Sequence, residues 1–397
     1  MAQEQRPGIL LIDTNDAMGG VVRVHFNLLR AIDRARFRVY AVCQKDSPIE
    51  AGFRSIAGAS VFPIHTGTKP VDACGGWRGR LGDVLSLLRL VPAVLRIRRI
   101  CRREEIGLIY VSDKKRAVYL ASALRKLTGL PVVYHGHTHH ADYAINRRLV
   151  READAVVVNS AAVREDYREW LGPRTPPIEV VHNGLDAGEY SPGGSSLRDE
   201  LGLPDDRLLV GIASRLAPDK GQETFIRAAA EVHRRHEHVH FVLVGDDSIF
   251  SDNRDYVPHL KKLCRESELD DCTTFLGYRN DMVNVYRGLD IVVNAAWNEA
   301  FGMVMIEPMA CGKVPVGTSA GGIPEIIRDG ENGFLYPPRD HARLAEIIEE
   351  LVRPESAARL REIGETARST VLDRFSIETQ VRNMEAVFDR ALERRTP

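Results

Sequence analysis

Cysteine is sparse in this 397-residue chain, and its six copies (Cys43, Cys74, Cys101, Cys264, Cys272, Cys311) show no paired metal spacing. Scattered in a long chain without an export signal, they read as reduced intracellular thiols. Cys311 reads as a small core residue on a helix. Long hydrophobic runs are also missing, and nothing approaches the length of a membrane span. The polar start Met1-Ala-Gln-Glu-Gln-Arg-Pro runs straight into a strand without the apolar core of a signal peptide, so a cytoplasmic location is expected. No charge of one sign prevails, since the formal net is −1, and nucleic acid is not an expected partner. The dinucleotide fingerprint Gly-x-Gly-x-x-Gly is absent, as are internal repeats and low-complexity tracts. Aromatics are few, at 7%.

The composition that remains, 44% apolar and 27% charged, is that of an ordinary globular enzyme. Its length exceeds one hydrophobic core, so two domains are expected. Charge divides with them. Residues 1–185 hold 28 Lys and Arg against 18 Asp and Glu, whereas residues 186–397 hold 26 against 37. A first half at +10 points to an anionic partner.

Strand-like and helical patterns alternate in both halves. Ile9–Asp13, Phe37–Cys43, Leu108–Ser112, Pro131–Tyr134 and Ala155–Asn159 are strands of the first. Leu208–Ile212, Val239–Val244, Thr273–Leu276, Asp290–Asn294 and Val314–Gly317 are strands of the second. Such alternation predicts parallel sheets covered on both faces, an α/β class with two Rossmann-like domains. The expected divisions are residues 1–185, residues 186–372, and a helix in 373–397 that packs back toward the first domain. The turn formers Asn183-Gly-Leu-Asp186 and Ser191-Pro-Gly-Gly-Ser-Ser196 read as the hinge.

Glu299-Ala-Phe-Gly-Met-Val-Met-Ile-Glu307 follows one of these strands and opens a helix. In open α/β sheets ligands bind at the carboxyl ends of strands. Glu299 belongs to the loop there, while Glu307 lies more than a turn into the helix. Both can accept hydroxyls while the N–H groups of Gly302, Met303 and Val304 face an anion. Arg215 and Lys220 emerge after another strand, five residues apart across a Pro-containing turn. Together they suit neighbouring phosphates, a planar fork beside a point charge. Gly19-Gly20, at the first strand–helix loop, allows close backbone approach to a ligand. Tyr134-His-Gly-His-Thr-His-His140 places four histidines past a strand; no carboxylate or Cys pair completes a ligand set, so no metal is expected. A histidine facing a cleft, hydrogen-bonding substrate, is the reading taken.

Taken in order, these motifs resemble those of the family-four retaining glycosyltransferases of the GT-B fold, over nearly the whole length. The resemblance is carried by Gly19-Gly20, Pro131 to His137, Asn183 to Asp186, Arg215 to Gly221, Phe275 to Tyr278, Glu299 to Glu307 and Gly321 to Glu325. It implies two Rossmann-like domains facing across a cleft, the second binding a nucleotide-sugar donor and the first an acceptor. It further implies that Arg215 and Lys220 neutralise the diphosphate, approached by Gly20 beside Gly19. Glu299, with Phe301 and the helix start behind it, then holds the transferred sugar, and Glu307 the ribose. Tyr278 and Arg279 border the base near Gly245, and His137 lies beside the reacting carbon, with His135 one alternation away. Neither cofactor nor metal is implied, and a UDP-sugar is the favoured donor.

The acceptor side rests on residues 78–103, where Arg78, Arg80, Arg89, Arg96, Arg98, Arg99, Arg102 and Arg103 face a single Asp83. Val84, Leu88, Val91 and Leu95 fall at helical spacing, and Pro92 is expected to kink or divide the segment. One reading is a core-packing helix with a solvated Arg face. The other is a basic amphipathic surface meeting an anionic, phosphorylated or lipid-linked acceptor, with peripheral membrane contact. Two rivals share the nucleotide-sugar site: an epimerase, acting on donor alone, and a non-catalytic binding module.

Overall fold

Strands of three to seven residues separated by amphipathic helices assemble here into two all-parallel sheets. The computed structural model describes residues 6–15, 19–65, 77–139, 144–246 and 255–394; side chains at 77–88 and 144–146 lie outside the description. The chain divides into two compact units, Met1–Gly184 with Ile377–Pro397, and Leu185–Ser376.

The first unit contains β1 (Gly8–Ile12), β2 (Arg38–Gln44), β3 (Ala59–Ile64), β4 (Ile106–Ser112), β5 (Val132–Gly136), β6 (Ala155–Val158) and β7 (Ile178–Val180). Their order, β3-β2-β1-β4-β5-β6-β7, reverses between β1 and β4. There the connections lead away to opposite sides, which opens a crevice at the strands' carboxyl ends. Every residue of β1, β5 and β6 is buried, as strands covered on both faces require. Val22, Phe26 and Leu29 of helix Gly20–Ala31 pack on one face with Ile9, Val39 and Tyr110. The same cluster takes Met384, Val387 and Phe388 from helix Ile377–Glu393. Phe388 meets Phe37 and Tyr110 edge-on. Arg36 adds ion pairs to Glu385 and Asp389.

Helix Trp77–Arg103 runs unbroken through Pro92, contrary to the expected division. Its buried stripe, Leu90, Ala93, Val94, Ile97, Ile100 and Cys101, keeps helical spacing on both sides of Pro92, which itself is exposed. Packing therefore holds the helix while the missing N–H lies on the solvent side. Val91 and Leu95, expected in the apolar stripe, are 47% and 52% exposed.

The second unit contains β8 (Leu208–Ala213), β9 (Val239–Val244), β10 (Thr273–Gly277), β11 (Ile291–Asn294), β12 (Val314–Thr318) and β13 (Phe334–Tyr336). Their order is β10-β9-β8-β11-β12-β13, with the reversal between β8 and β11. Alternate residues serve opposite faces, as the pleat dictates. Val210, Ile212, Phe241 and Val293 enter one core cluster, and Leu209, Ala213, Val242 and Val292 the other. The run Ser191–Ser196 is pinned inside this unit rather than at the junction. Ser191 O accepts from Arg287 Nε at 2.7 Å, and Ser195 Oγ donates to Asn284 O at 2.7 Å.

Candidate functional site

In the second unit, chemistry gathers at the carboxyl ends of β8 and β11, the switch point of the sheet. After β8 the chain passes Ser214 and Arg215, forms the short 3₁₀ turn Pro218–Lys220 and enters helix Gln222–His233. Gly221 takes φ +72° at that entry, and a Cβ there would stand 2.0 Å from Ala295 O. Only glycine lets the two loops touch so closely. Trp297 N–H closes the same contact on Asp219 O at 3.0 Å. Buried Gln222 reaches back, its Nε2 donating to Ser214 Oγ and Arg215 O.

This contact brings Lys220 Nζ to 2.8 Å from Glu299 Oε2, each side chain about one-fifth exposed. Arg215 lies along the same loop, 3.5 Å from Asp219. Glu299 is braced from β12: Gly322 N–H donates to Glu299 O at 2.8 Å, and a Cβ on Gly321 would meet that oxygen at 2.1 Å. Gly302 (φ +115°) caps helix Met303–Ala310, whose first amides, on Met303 and Val304, have no partner within the helix. Phe301 turns into the core against Phe375, so its backbone alone is left to face a ligand. Glu307, on the fifth residue of the helix, accepts from Tyr286 Oη at 2.9 Å. Burial first, then the Glu307 charge, pushes that phenol well up, so it stays a donor.

Gly245 N–H donates to Gly277 O, and its φ of +133° accommodates Ser214 O, 1.9 Å from where a Cβ would sit. Tyr278 is exposed just beyond. The guanidinium of Arg279 is taken up by Asp281 and Glu200, which raise its pKa, and its hydrogen bond in turn lowers that of Asp281.

In the first unit, Gly19 and Gly20 begin the helix after β1, and a Cβ on either would touch nothing within 4 Å. Packing does not require glycine at these two positions. His135 is the next-to-last residue of β5 and His137 follows the strand, both buried. They meet two residues that the sequence reading passed over. Asp13, wholly buried past β1, accepts from His25 Nδ1 at 2.7 Å. His25 Nε2 lies 3.1 Å from His137 Nε2, and His135 Nδ1 lies 2.5 Å from Tyr110 Oη. A histidine within the apolar face Val22, His25, Phe26, Leu29 was the available signal. Asp113, past β4, accepts from His137 N–H at 3.2 Å, and burial pushes its carboxyl up.

Burial alone would raise Asp13, but the hydrogen bond and charge of His25 and two donors from Asn15 outweigh it and hold it ionised. Burial pushes His135 and His137 well below the ordinary histidine value, their neighbours' charges adding to it. Among the described residues, His135 Nε2 and His137 Nδ1 are buried without a protein partner. Ligand atoms of His25, His135 and His137 lie within 4.8 Å of one another. Rings radiating from one zinc at about 2.0–2.1 Å would keep their centroids roughly 5 Å apart. The observed separations of 5.1, 3.8 and 6.4 Å match that in one pair of three, which favours a hydrogen-bonded chain from Asp13 to His137. His139 pairs with Asp166 instead, and His140 lies outside the described residues. The five described cysteines are buried free thiols, Cys311 pushed up by burial to about 11.

Residues 195–370 match the family model of the glycosyl transferases group 1, and residues 18–189 that of Glycosyltransferase Family 4. Over 214 residues (52% of this chain, 51% of the relative), the sequence is 33% identical to the D-inositol 3-phosphate glycosyltransferase of Corynebacterium jeikeium. Over 224 residues (56% and 50%), it is 32% identical to that of Mycolicibacterium smegmatis. The chain thus spans about half the length of the curated relatives it matches. The solved structure of Anabaena Alr3699/HepE with UDP and glucose superposes with a TM-score of 0.78 at 26% identity, covering 96% of this chain and 99% of that one. Sucrose-phosphate synthase of Thermosynechococcus elongatus, at 21% identity and TM-score 0.78 over 98% and 100% of the chains, shares the fold. The two family models lie end to end over most of the sequence: the chain belongs to the family-four glycosyltransferases, with the GT-B fold.

Proposed function

We propose that the protein is a retaining glycosyltransferase moving a hexose-type sugar from a nucleoside diphosphate, UDP foremost, to an alcohol. The Lys220–Glu299 pair carries this reading: a cation and an acceptor group held together at the rim of one sheet. On donor binding the ammonium turns to the diphosphate beside Arg215, and the freed carboxylate takes sugar hydroxyls. Met303 and Val304 N–H groups face the anion, and Glu307, steadied by Tyr286, meets the ribose. Gly245 and the backbone of Tyr278 and Arg279 border the base. Support for UDP comes from Alr3699/HepE, which is solved with UDP-glucose as well.

In the transfer the bond from C1 to the diphosphate oxygen breaks and a bond from C1 to the acceptor oxygen forms on the same face. The hydroxyl proton passes to the departing diphosphate. Arg215, Lys220 and the helix start stabilise the charge that develops there, without a metal. Gly19 and Gly20 leave room for a phosphate at their backbone, and His137 serves the sugar side. An anionic acceptor accords with the +10 charge of residues 1–185 and with curated relatives named for D-inositol 3-phosphate. Among the described residues no helix is long and apolar enough to cross a membrane. Exposed Val91 and Leu95 among arginines support peripheral contact with an anionic bilayer.

The test is calorimetry with a panel of nucleotide sugars, followed by turnover in chelator. Glu299→Gln and Lys220→Ala are expected to lose about 10²–10³-fold in kcat while melting normally. Wild-type turnover in both, or activity abolished by the chelator and restored by metal, defeats the assignment.

A further inference from the structure

Trp297 and Arg339 stand apart from everything assigned above. Trp297 sits two residues before Glu299 and is 38% exposed. Over its ring, 3.7 Å from the centroid, lies the guanidinium of Arg339, the shortest such stack among the described residues. Arg339 comes from the loop after β13, two strands away from β11 in the sheet. The loop after β12 fills the space between, bonded to Glu299 through Gly322.

The backbone at Arg339 is unusual. Asp340 N–H returns to Pro337 O at 3.2 Å, closing a turn with Pro338 second and Arg339 third. Arg339 has φ +67°, the conformation for which that turn position selects glycine or asparagine. Arginine is held there against its own preference, as Asp46, Glu105 and Glu268 are at their own positive φ values. Asp340 does not neutralise it, since its Oδ1 caps the next helix through Arg343 N–H. Among the described residues Arg339 forms no ion pair, and it is exposed. A flat cation, immobilised on an aromatic face with its outer N–H fork unused, is pre-organised for a bidentate oxyanion.

We infer that Trp297 and Arg339 form an oxyanion subsite for a carboxylate or phosphate borne by one of the two sugar substrates. The inference rests on the transferase reading and adds to it the chemical class of the ligand. Such an anion belongs either to the transferred sugar or to the acceptor, and the two sources can be separated.

The experiment titrates four probes into the full chain and into Arg339→Gly, which suits the turn and should fold at least as well. The first pair is UDP-glucose and UDP-glucuronate; the second is glucose and glucose 6-phosphate added to UDP-saturated protein. Arg339→Gly is expected to weaken one anionic probe tenfold or more and to leave UDP-glucose within twofold. Loss on UDP-glucuronate puts the anion on the transferred sugar, and loss on glucose 6-phosphate puts it on the acceptor. Trp297→Leu should reproduce the same selective loss, and Arg339→Lys should restore less than half of the binding free energy lost. Equal effects on charged and neutral probes, or none, overturn the subsite and mark the pair as a loop staple. Failure of wild type to bind UDP-glucose would instead strike at the transferase reading itself.

Discussion

At the scale of single residues, the two sites use burial in opposite ways. Lys220 and Glu299 keep about one-fifth of their side-chain surface in water, so the pair stays open to a ligand. The histidines of the first unit are sealed. His135 and His137 are held neutral by burial, whereas the unfolded chain takes up protons near about pH 6.5. A histidine depressed in this way leaves the folded state with fewer bound protons below that pH. Stability should be complete above about pH 6.5 and fall beneath it, by up to about 1.4 kcal/mol per unit for each group. Asp13, Asp113 and Lys114 also face the rings, and Asp113, raised by burial, titrates in the opposite sense. Urea denaturation of wild type and His135→Gln at steps from pH 7 to 5 isolates the histidine term. The variant should show a shallower decline, and parallel profiles would mean that His135 is not the neutral group. Arg215, Lys220, Glu299 and Glu307 were legible because each stands at a fixed offset from a strand or helix start. Asp13 and His25 were not. Their partnership with His137 spans 112 positions and exists only once β1, β5 and the first helix are packed.

At the scale of elements, the interior strands declared themselves and three of the four edge strands did not. β3, β7 and β13 escaped the sequence reading. β7 and β13 have three residues each, β3 carries Pro63, and all three close the margins of their sheets. A margin strand buries less and needs less apolar sequence, so its pattern merges with that of a loop. Pro92 misled in the other direction, because proline propensity is local and the stripe that overrides it is tertiary. That stripe also fixes what helix Trp77–Arg103 leaves outside. Val91 and Leu95 lie one turn apart on the exposed side, with Arg89, Arg96, Arg99, Arg102 and Arg103 exposed around them. A surface of this kind inserts shallowly into anionic headgroups. Val91→Ser with Leu95→Ser should leave the melting temperature unchanged, since neither side chain is in the core. The pair should reduce co-sedimentation with phosphatidylglycerol vesicles about tenfold, and wild-type binding should weaken as salt rises. Equal sedimentation of wild type and variant would confine this helix to packing.

At the scale of the whole molecule, chain order and compact unit part company at the carboxyl end. Helix Ile377–Glu393 follows the second unit in sequence but fills the core of the first, where Met384 and Phe388 are wholly buried. Gly184 N–H donates to Gln380 Oε1, so the last residue of the first unit's main segment is fastened to its returning helix. Among the described residues, one core cluster holds the residues around Phe388, and two flank the strands of the second unit. Truncating a buried aromatic typically costs about 3–5 kcal/mol. Phe388→Ala should therefore loosen β1 and β4 although it lies roughly 380 and 280 positions from them in sequence. Hydrogen exchange followed by mass spectrometry reads the outcome strand by strand. Protection should fall across β1, β2 and β4 while β8, β9 and β11 keep theirs, because opening free energies follow local packing. A uniform loss in both sheets would mean that they unfold as one cooperative body, and the separation of cores would then have no counterpart in stability.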